Sequence, residues 1–325
     1  MTDKTSKKDR SVGDGEFSLI REFFLGRAKH HSETTLGIGD DASILQVPEG
    51  KQLVISVDTM VEGVHFLRGA DPESLGHKLL AVNLSDMAAM GAEPVWATLA
   101  LTIPKKNKEW LEQFSRGLFA LADRHRVDLV GGDTTRGPLT LTMQIHGLVS
   151  EGRAVRRSGA DAGDLVCVTN TLGAAALALE LIEQGRDAEE IRHHLERPTP
   201  RVEAGIVLRS YATSMIDISD GLLADLGHVL EQSGVGAVLD LDSIPLHPSL
   251  LSISSVEKRF DLALGAGDDY ELCFTIAVDD LEDVGSQLSE LGCDLSVVGT
   301  IQQGGGLRWE DSTGWSPSRV GFNHF

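Results

Sequence analysis

The sequence predicts a mixed α+β (mixed α/β) chain organised as about two domains. Its 325 residues are 41% hydrophobic, which suffices for packed cores. Alternating and helical apolar patterns are interleaved along the whole length, but not in the strict strand–helix alternation of a doubly wound sheet. The patterning shifts near 150–157, in a stretch that carries Arg153, Arg156 and Arg157. The expected division is a loose tail over 1–14, a first domain over 15–152 and a second over 153–325.

Residues 16–29 place Phe17, Ile20, Phe24 and Ala28 at helical spacing and predict an amphipathic helix. After the turn Gly37-Ile38-Gly39-Asp40-Asp41, residues 42–47 and 53–57 read as a strand pair joined at Pro48-Glu49-Gly50-Lys51. Pro72 suits the first position of a helix running to about Met90, apolar on nearly every side from Leu79 onward. Strand 96–103 follows, then helix 107–126 with Trp110, Phe114, Leu118 and Leu121 on one stripe. Strand 127–130 leads into Gly131-Gly132-Asp133-Thr134-Thr135, and Leu139, Leu141, Met143 and Ile145 share one face of a long strand. In the second half, strands are expected over 164–169, 215–218, 235–241, 270–276 and 295–301. Helices are expected over 173–183, 222–232 and 281–291, with more helix around the break at Arg197-Pro198-Thr199-Pro200-Arg201.

The net charge of −20, from 29 basic and 49 acidic residues, argues against a nucleic-acid groove. It also opposes an anionic substrate unless cations intervene. No apolar run approaches the roughly 18 residues of a membrane span, and the first residues lack the apolar stretch of a signal peptide. Three cysteines without a CxxC pair, each in an apolar run, fit buried thiols in a reducing cytoplasm.

Aspartates recur at segment ends: Asp41, Asp58, Asp133, Asp217, Asp220 and the pair Asp268-Asp269. Singly, most read as turn or capping residues, and Asp220-Gly221 before a helix is a good capping candidate. Asp86 resists that reading, because an unpaired carboxylate within an apolar helix is expensive. If these groups converge, two carboxylates about 4 Å apart repel by roughly 4 kcal/mol at an effective dielectric of 20. Carboxylates with Ser, Thr and Asn oxygens suit hard cations, Mg²⁺ above all. Mg²⁺ also allows so acidic a chain to hold polyphosphate. There is no P-loop. The Gly37–Ala42 match to a dinucleotide fingerprint precedes a strand-like run, not a helix, and is set aside. Gly131-Gly132 is a candidate phosphate cradle, and the Arg153/Arg156/Arg157 cluster is either a phosphate grip or a solvated charge run. His65, after Asp58, is a candidate beside the carboxylates.

Taken in order, the motifs are Gly-Ile-Gly-Asp-Asp at 37–41, Ser-Val-Asp-Thr at 56–59, Gly-Val-His-Phe at 63–66 and Ala-Val-Asn-Leu-Ser-Asp-Met-Ala-Ala-Met-Gly at 81–91. Gly-Gly-Asp-Thr-Thr at 131–135, Arg-Ser-Gly-Ala at 157–160, Asp-Ile-Ser-Asp-Gly-Leu at 217–222, Gly-Asp-Asp-Tyr-Glu-Leu at 267–272 and the final Gly-Phe-Asn-His-Phe follow. The series resembles the thiamine-monophosphate kinase family over essentially everything after the first dozen residues. The resemblance implies the two-domain fold shared with aminoimidazole ribonucleotide synthetase and selenophosphate synthetase, its N-terminal domain pairing in a homodimer. It implies phosphoryl transfer from ATP to thiamine monophosphate, giving thiamine diphosphate, assisted by metal and without a protein nucleophile. Carried over by motif, Asp41, Ser56, Asp58, Asp86, Asp133, Asp217 and Asp220 would hold several Mg²⁺ ions. Gly132, Asp133, Arg157 and Ser219 would touch ATP. His65, Asp268 and Phe322 would face the substrate, with Asp268 pairing with the cationic thiamine rings and Phe322 stacking on the thiazolium. Asp268 stands where family members often have the longer Glu, and Arg319 where an aromatic can occur.

Overall fold

The computed structural model describes residues 16–25, 30–310, 314–318 and 320–322. The expected tail over 1–14, residues 26–29 of the expected first helix, Arg319 and residues 323–325 lie outside the described residues. The first helix, α1 (Glu16–Leu19), continues as one wide turn over Ile20–Phe24 and then stops, because Leu25 is extended at φ −73, ψ 139. Adjacent Phe23 and Phe24 are both buried there, a demand that regular helical spacing does not anticipate.

The expected pairing of 42–47 with 53–57 does not form. Only β2 (Ile44–Leu45) is a strand, and it pairs with β1 (Thr34–Leu36). The next strand, β3 (Lys51–Val61), is longer than expected and pairs instead with β6 (Thr140–Ser150) far along the chain. Between them come α2 (Pro72–Ala89), β4 (Glu93–Ile103), α3 (Lys108–His125) and β5 (Asp128–Arg136). The four long strands form one sheet in the order β3-β6-β4-β5, with β4 and β5 parallel across the α3 connection. The Gly131-Gly132 segment is therefore strand, not a loop cradle. Gly132, at φ +151, is required there because a Cβ would stand 1.9 Å from the Leu99 carbonyl of β4.

The second sheet is built from β7 (Leu165–Thr169), β8 (Ser214–Asp217), β9 (Gly236–Asp240), β10 (Leu272–Ile276), β11 (Leu295–Gln302) and β12 (Gly306–Glu310). Its order is β12-β9-β11-β7-β10-β8, so β8 is an edge strand whose last residue is Asp217. Helices α4 (Ala174–Glu183), α5 (Arg192–Glu196), α6 (Val202–Leu208), α7 (Leu222–Ser233), α8 (Val256–Leu264) and α9 (Leu281–Glu290) surround it. Both halves are thus mixed α/β layers, as expected.

Helix α2 joins them. Asp71 caps it by accepting the Ser74 N–H at 2.8 Å, Pro72 supplies its first turn, and Gly91 beyond it turns at φ +62. Nearly every face is buried, and Asn83 is accommodated by donating to the Leu79 carbonyl at 2.9 Å. Glycines bring other backbones against it. A Cβ on Gly76 would meet the Phe114 carbonyl of α3 at 2.1 Å, and one on Gly117 of α3 would meet the Glu73 carbonyl at 1.8 Å. On the second domain, a Cβ on Gly205 of α6 would meet the Ala88 carbonyl at 2.2 Å. Gly117→Ala should therefore destabilise the protein by about 1–3 kcal/mol through overpacking, although Ala is the better helix former by roughly 1 kcal/mol. Urea unfolding reads this directly, and a midpoint equal to or above that of the parent would contradict the close crossing.

Candidate active site

Three elements deliver one carboxylate each to neighbouring positions. The inward face of β3 carries Ser56 and Asp58, α2 carries Asp86, and β8 ends in Asp217. The Ser56 hydroxyl donates to Asp86 Oδ2 at 2.6 Å. Burial pushes the Asp58 carboxyl up to about 7, and the neighbouring Asp86 adds to the shift. Burial also raises Asp86, opposed by the Ser56 hydrogen bond and by the charge of Arg157. Asp217 is held well above the usual carboxylate range, again by burial first and Asp86 second. Crowded, dehydrated carboxylates that resist ionisation are groups short of positive charge.

Behind them, the loop after β8 is held by a residue not foreseen from sequence. Asp225 Oδ2, in the first turn of α7, accepts the backbone N–H groups of Ser219, Asp220 and Gly221 at 3.1, 3.0 and 3.1 Å. The expected cap at Asp220 is absent: Gly221 is the N-cap, with no side-chain capping bond. Asp225 does that work from within the helix, which leaves the Asp220 carboxylate uncommitted to capping. Burial pushes Asp225 up to about 7 in spite of its three amide donors.

The Gly-Asp-Asp-Tyr loop before β10 lies against the same turn, with Asp268 N–H donating to the Ser219 carbonyl at 2.9 Å and Tyr270 N–H to the Ile218 carbonyl at 2.8 Å. Asp268 and Tyr270 both take left-handed backbone, at φ 71 and 51. Asp268 Oδ1 receives Lys78 Nζ at 3.0 Å and the Tyr270 hydroxyl at 2.9 Å. Asp269 turns the other way and accepts the Gly173 N–H at 2.9 Å, and burial holds its carboxyl well above the usual range. Glu271 pairs with Arg201 and accepts from Thr169 at 2.6 Å and Asn170 at 2.9 Å, a buried tie that fixes the loop's far end.

A cavity of about 1190 Å³ lies between the two domains. Asp58, His65, Asp86, Asp217, Ser219, Asp220, Asp268 and Phe322 all lie on its wall. His65 is oriented by accepting the Val61 N–H at Nδ1, 3.0 Å away. Arg157 is close enough to act on Asp86 electrostatically. Gly132, Asp133 and Asp41 are not part of this wall. Directly paired residues share a sheet face. Asp58 aligns with Met143 and Leu99 on the helix-covered face, whereas Asp133 aligns with Ala100, Thr142 and Thr59 on the other. Asp41 is exposed in the β1–β2 turn, a hairpin tied to β5 by the Thr34 hydroxyl on Asp128 Oδ2 at 2.7 Å. The sequence-expected ligands thus fall into an inner set and an outer set.

Lys78 and Asp225 were the residues missed. Lys78, Val82 and Asp86 recur every fourth position along α2 and all face the cavity, a stripe that general apolarity concealed.

A two-domain mixed α/β chain with paired carboxylates in the interdomain cleft defines the class, and comparison with known proteins agrees. Residues 39–149 match the N-terminal domain of the AIR synthase related proteins and residues 161–311 match their C-terminal domain. Within that class, the chain belongs to the thiamine-monophosphate kinase family. It is 46% identical over 294 residues to thiamine-monophosphate kinase of Escherichia coli (strain K12), covering 88% of this chain and 90% of the relative. The crystal structure of thiamine-monophosphate kinase from Stenotrophomonas maltophilia K279a superposes with a TM-score of 0.83 at 46% identity, over 90% of this chain and 94% of that one. A structure of AaThiL complexed with AMPPCP and TMP gives a TM-score of 0.76 at 29% identity, over 96% and 97% of the two chains.

The inner set offers only hard oxygen donors, the chemistry that a divalent cation such as Mg²⁺ requires. Among the described residues, no group of three or more His, Cys, Asp or Glu side chains is already drawn to coordinating distance. The raised Asp58, Asp86 and Asp217 carboxyls fit a site that a cation would neutralise. The pH dependence follows in sign. Asp58 keeps its proton to about 7 when folded but ionises from 3.8 when unfolded, so between those values the unfolded chain binds fewer protons. Stability of the cation-free protein should fall as pH rises through that window. Asp58→Asn should flatten the decline and stabilise the cation-free protein at pH about 7.5 by on the order of 2 kcal/mol. Urea unfolding in chelator at both ends of the window checks this, and a variant less stable than the parent throughout would mean a satisfied structural carboxylate.

Proposed function

We propose that this chain transfers the γ-phosphoryl group of ATP to thiamine monophosphate, yielding ADP and thiamine diphosphate. The observation that carries the reading is the convergence of Asp58, Asp86 and Asp217 on one wall of the interdomain cavity, beside Ser219, Asp220 and Arg157. The relatives named as thiamine-monophosphate kinases, and the family structure holding an ATP analogue together with TMP, support both substrates.

Phosphoryl transfer asks little covalent chemistry of a protein; it asks for alignment and charge neutralisation. The chain's residues divide that work. Asp58, Asp86 and Asp217, with Ser56 and Asp220, form the hard-oxygen wall that would hold Mg²⁺. Bound there, Mg²⁺ supplies electrostatic screening between donor and acceptor phosphates. Arg157 lies beside Asp86 with its charge available for a phosphate oxygen. Asp225 keeps the Ser219–Gly221 amides fixed, so the loop at the phosphates is preorganised. His65, Asp268 and Phe322 form the acceptor side. No side chain is assigned as a nucleophile, because the acceptor phosphate already bears oxygen nucleophiles.

We further propose a homodimer made through the first domain, with domains over 15–152 and 153–325 and a cytoplasmic location. Among the described residues no helix is long and apolar enough to cross a membrane. The three cysteines are free and buried, which fits a reducing compartment. For the dimer, the outer face of edge strand β3 presents Leu53, Ile55 and Val57, the last 57% exposed. A long, apolar, uncovered edge strand calls for a partner. A partner on this face would also let the outer pair, Asp41 and Asp133, complete the inner set of the other copy.

With ATP, Mg²⁺ and thiamine monophosphate, purified protein should form thiamine diphosphate and ADP in equal amounts; binding of both substrates without product would refute the kinase reading. Asp86→Asn should leave a folded protein with turnover reduced by about 100-fold or more. Near-normal turnover would make that carboxylate structural. If the sites are shared, equal mixing of inactive Asp86→Asn and Asp133→Asn chains, refolded together, should restore about a quarter of the sites, since each mixed dimer keeps one intact set. No recovery beyond the homodimers would place both sets on one chain.

A further inference from the structure

Lys78 is an unusual residue to find in α2. Its side chain is 6% exposed, in a helix otherwise lined with apolar groups, and lysine is rarely buried without a partner. Its partner is Asp268 Oδ1 at 3.0 Å, an atom that also accepts the Tyr270 hydroxyl at 2.9 Å. Both contacts fall on the same oxygen, so neither engages Oδ2, and the Asp268 side chain retains 29% exposure to the cavity it lines. The pair is also built on strained backbone. Asp268 and Tyr270 at φ 71 and 51 hold a left-handed conformation that non-glycine residues adopt at a cost on the order of 1 kcal/mol each, and such strain persists where its surroundings over-determine it.

Lys78 is placed differently from the other cations of the wall. Arg68 and Lys258 also line the cavity, but Lys258 is engaged by Glu180 at 2.6 Å with 43% of its side chain exposed. Lys78 lies eight residues before Asp86 on the same stripe of α2. At 1.5 Å per residue the two are separated by about 12 Å along the helix axis. One end of the stripe therefore holds the carboxylate wall, and the other holds an ammonium clamped to a carboxylate. A molecule bearing phosphate at one end and a cationic ring system at the other would reach from the carboxylate wall to Asp268 along the cavity.

We propose that Lys78 is a positioning residue for acceptor selectivity: it anchors Asp268 through Oδ1, so that Oδ2 is presented at fixed depth to the cationic, amino-bearing end of the acceptor. This rests on the reading of the cavity as the thiamine monophosphate site. The lysine on the helix opposite sets where the oxygen lies. Lys78 has no part in holding ATP, whose phosphates belong to the Asp86 end.

The test is a double-mutant cycle over Lys78→Met, Asp268→Asn and the combination, with Lys78→Arg as the conservative variant. Turnover is measured against each substrate, and thiamine monophosphate binding is measured separately by calorimetry. Lys78→Met should raise KM for thiamine monophosphate by about 10- to 100-fold, the scale of losing one partner of a desolvated charge pair, with KM for ATP within about twofold. The double variant should be no worse than Asp268→Asn alone, because both remove one coupled unit, and Lys78→Arg should recover part of the loss. An unchanged acceptor KM in Lys78→Met, additive losses in the double variant, or a parallel rise in both KM values would each overturn the proposal. Coupled losses in calorimetric binding with no turnover by the parent would instead overturn the kinase reading and leave the Lys78–Asp268 unit standing.

Discussion

The structure depends on burying α2 with a carboxylate inside it. A helix packed on nearly every side gains apolar burial from both domains at once, but Asp86 puts a desolvated acid at the centre of that packing. Much of the surrounding design answers this. Ser56 donates to Asp86 from β3, Arg157 approaches from the chain between the domains, and Asp58 and Asp217 share the deficit of positive charge. An acid that is costly where it stands either keeps its proton or calls for a positive charge beside it.

That same acid was the most legible feature of the sequence. Periodicity located α2, α3, α4, α7 and α9 and most strands of the second sheet, because each buries one face and so repeats its apolar residues. Asp86 stood out as the residue that broke such a pattern. The pairing of β3 with β6 was not legible, since a long strand records that one of its faces is buried but not which distant strand lies beside it. Nor was the extension of β5 through Gly131-Gly132: glycines read as a loop, whereas here Gly132 admits the Leu99 carbonyl of the neighbouring strand.

The site residues show the same division. Motif resemblance named the aspartates, but spacing could not say that Asp58 and Asp133 stand on opposite faces of one sheet. That fact follows from register, which local sequence does not encode strongly. Asp225 was invisible for a different reason. Its role is to satisfy three amides of the loop before it, and an acid in the first turn of a helix looks like ordinary dipole compensation. Residues that organise other residues leave little trace in a sequence read one motif at a time.

The glycine contacts along α2 have a consequence for recognition. Backbone from α3 and α6 rests directly against the helix at Gly76, Gly117 and Gly205, with no side chain between to absorb a shift. The helix therefore behaves as a fixed gauge between the domains. Lys78 and Asp86 are two marks on one rigid rod, and neither can approach the other without unwinding a turn. On the reading proposed above, molecules whose charged ends are too close or too far apart to meet both marks would be rejected by length.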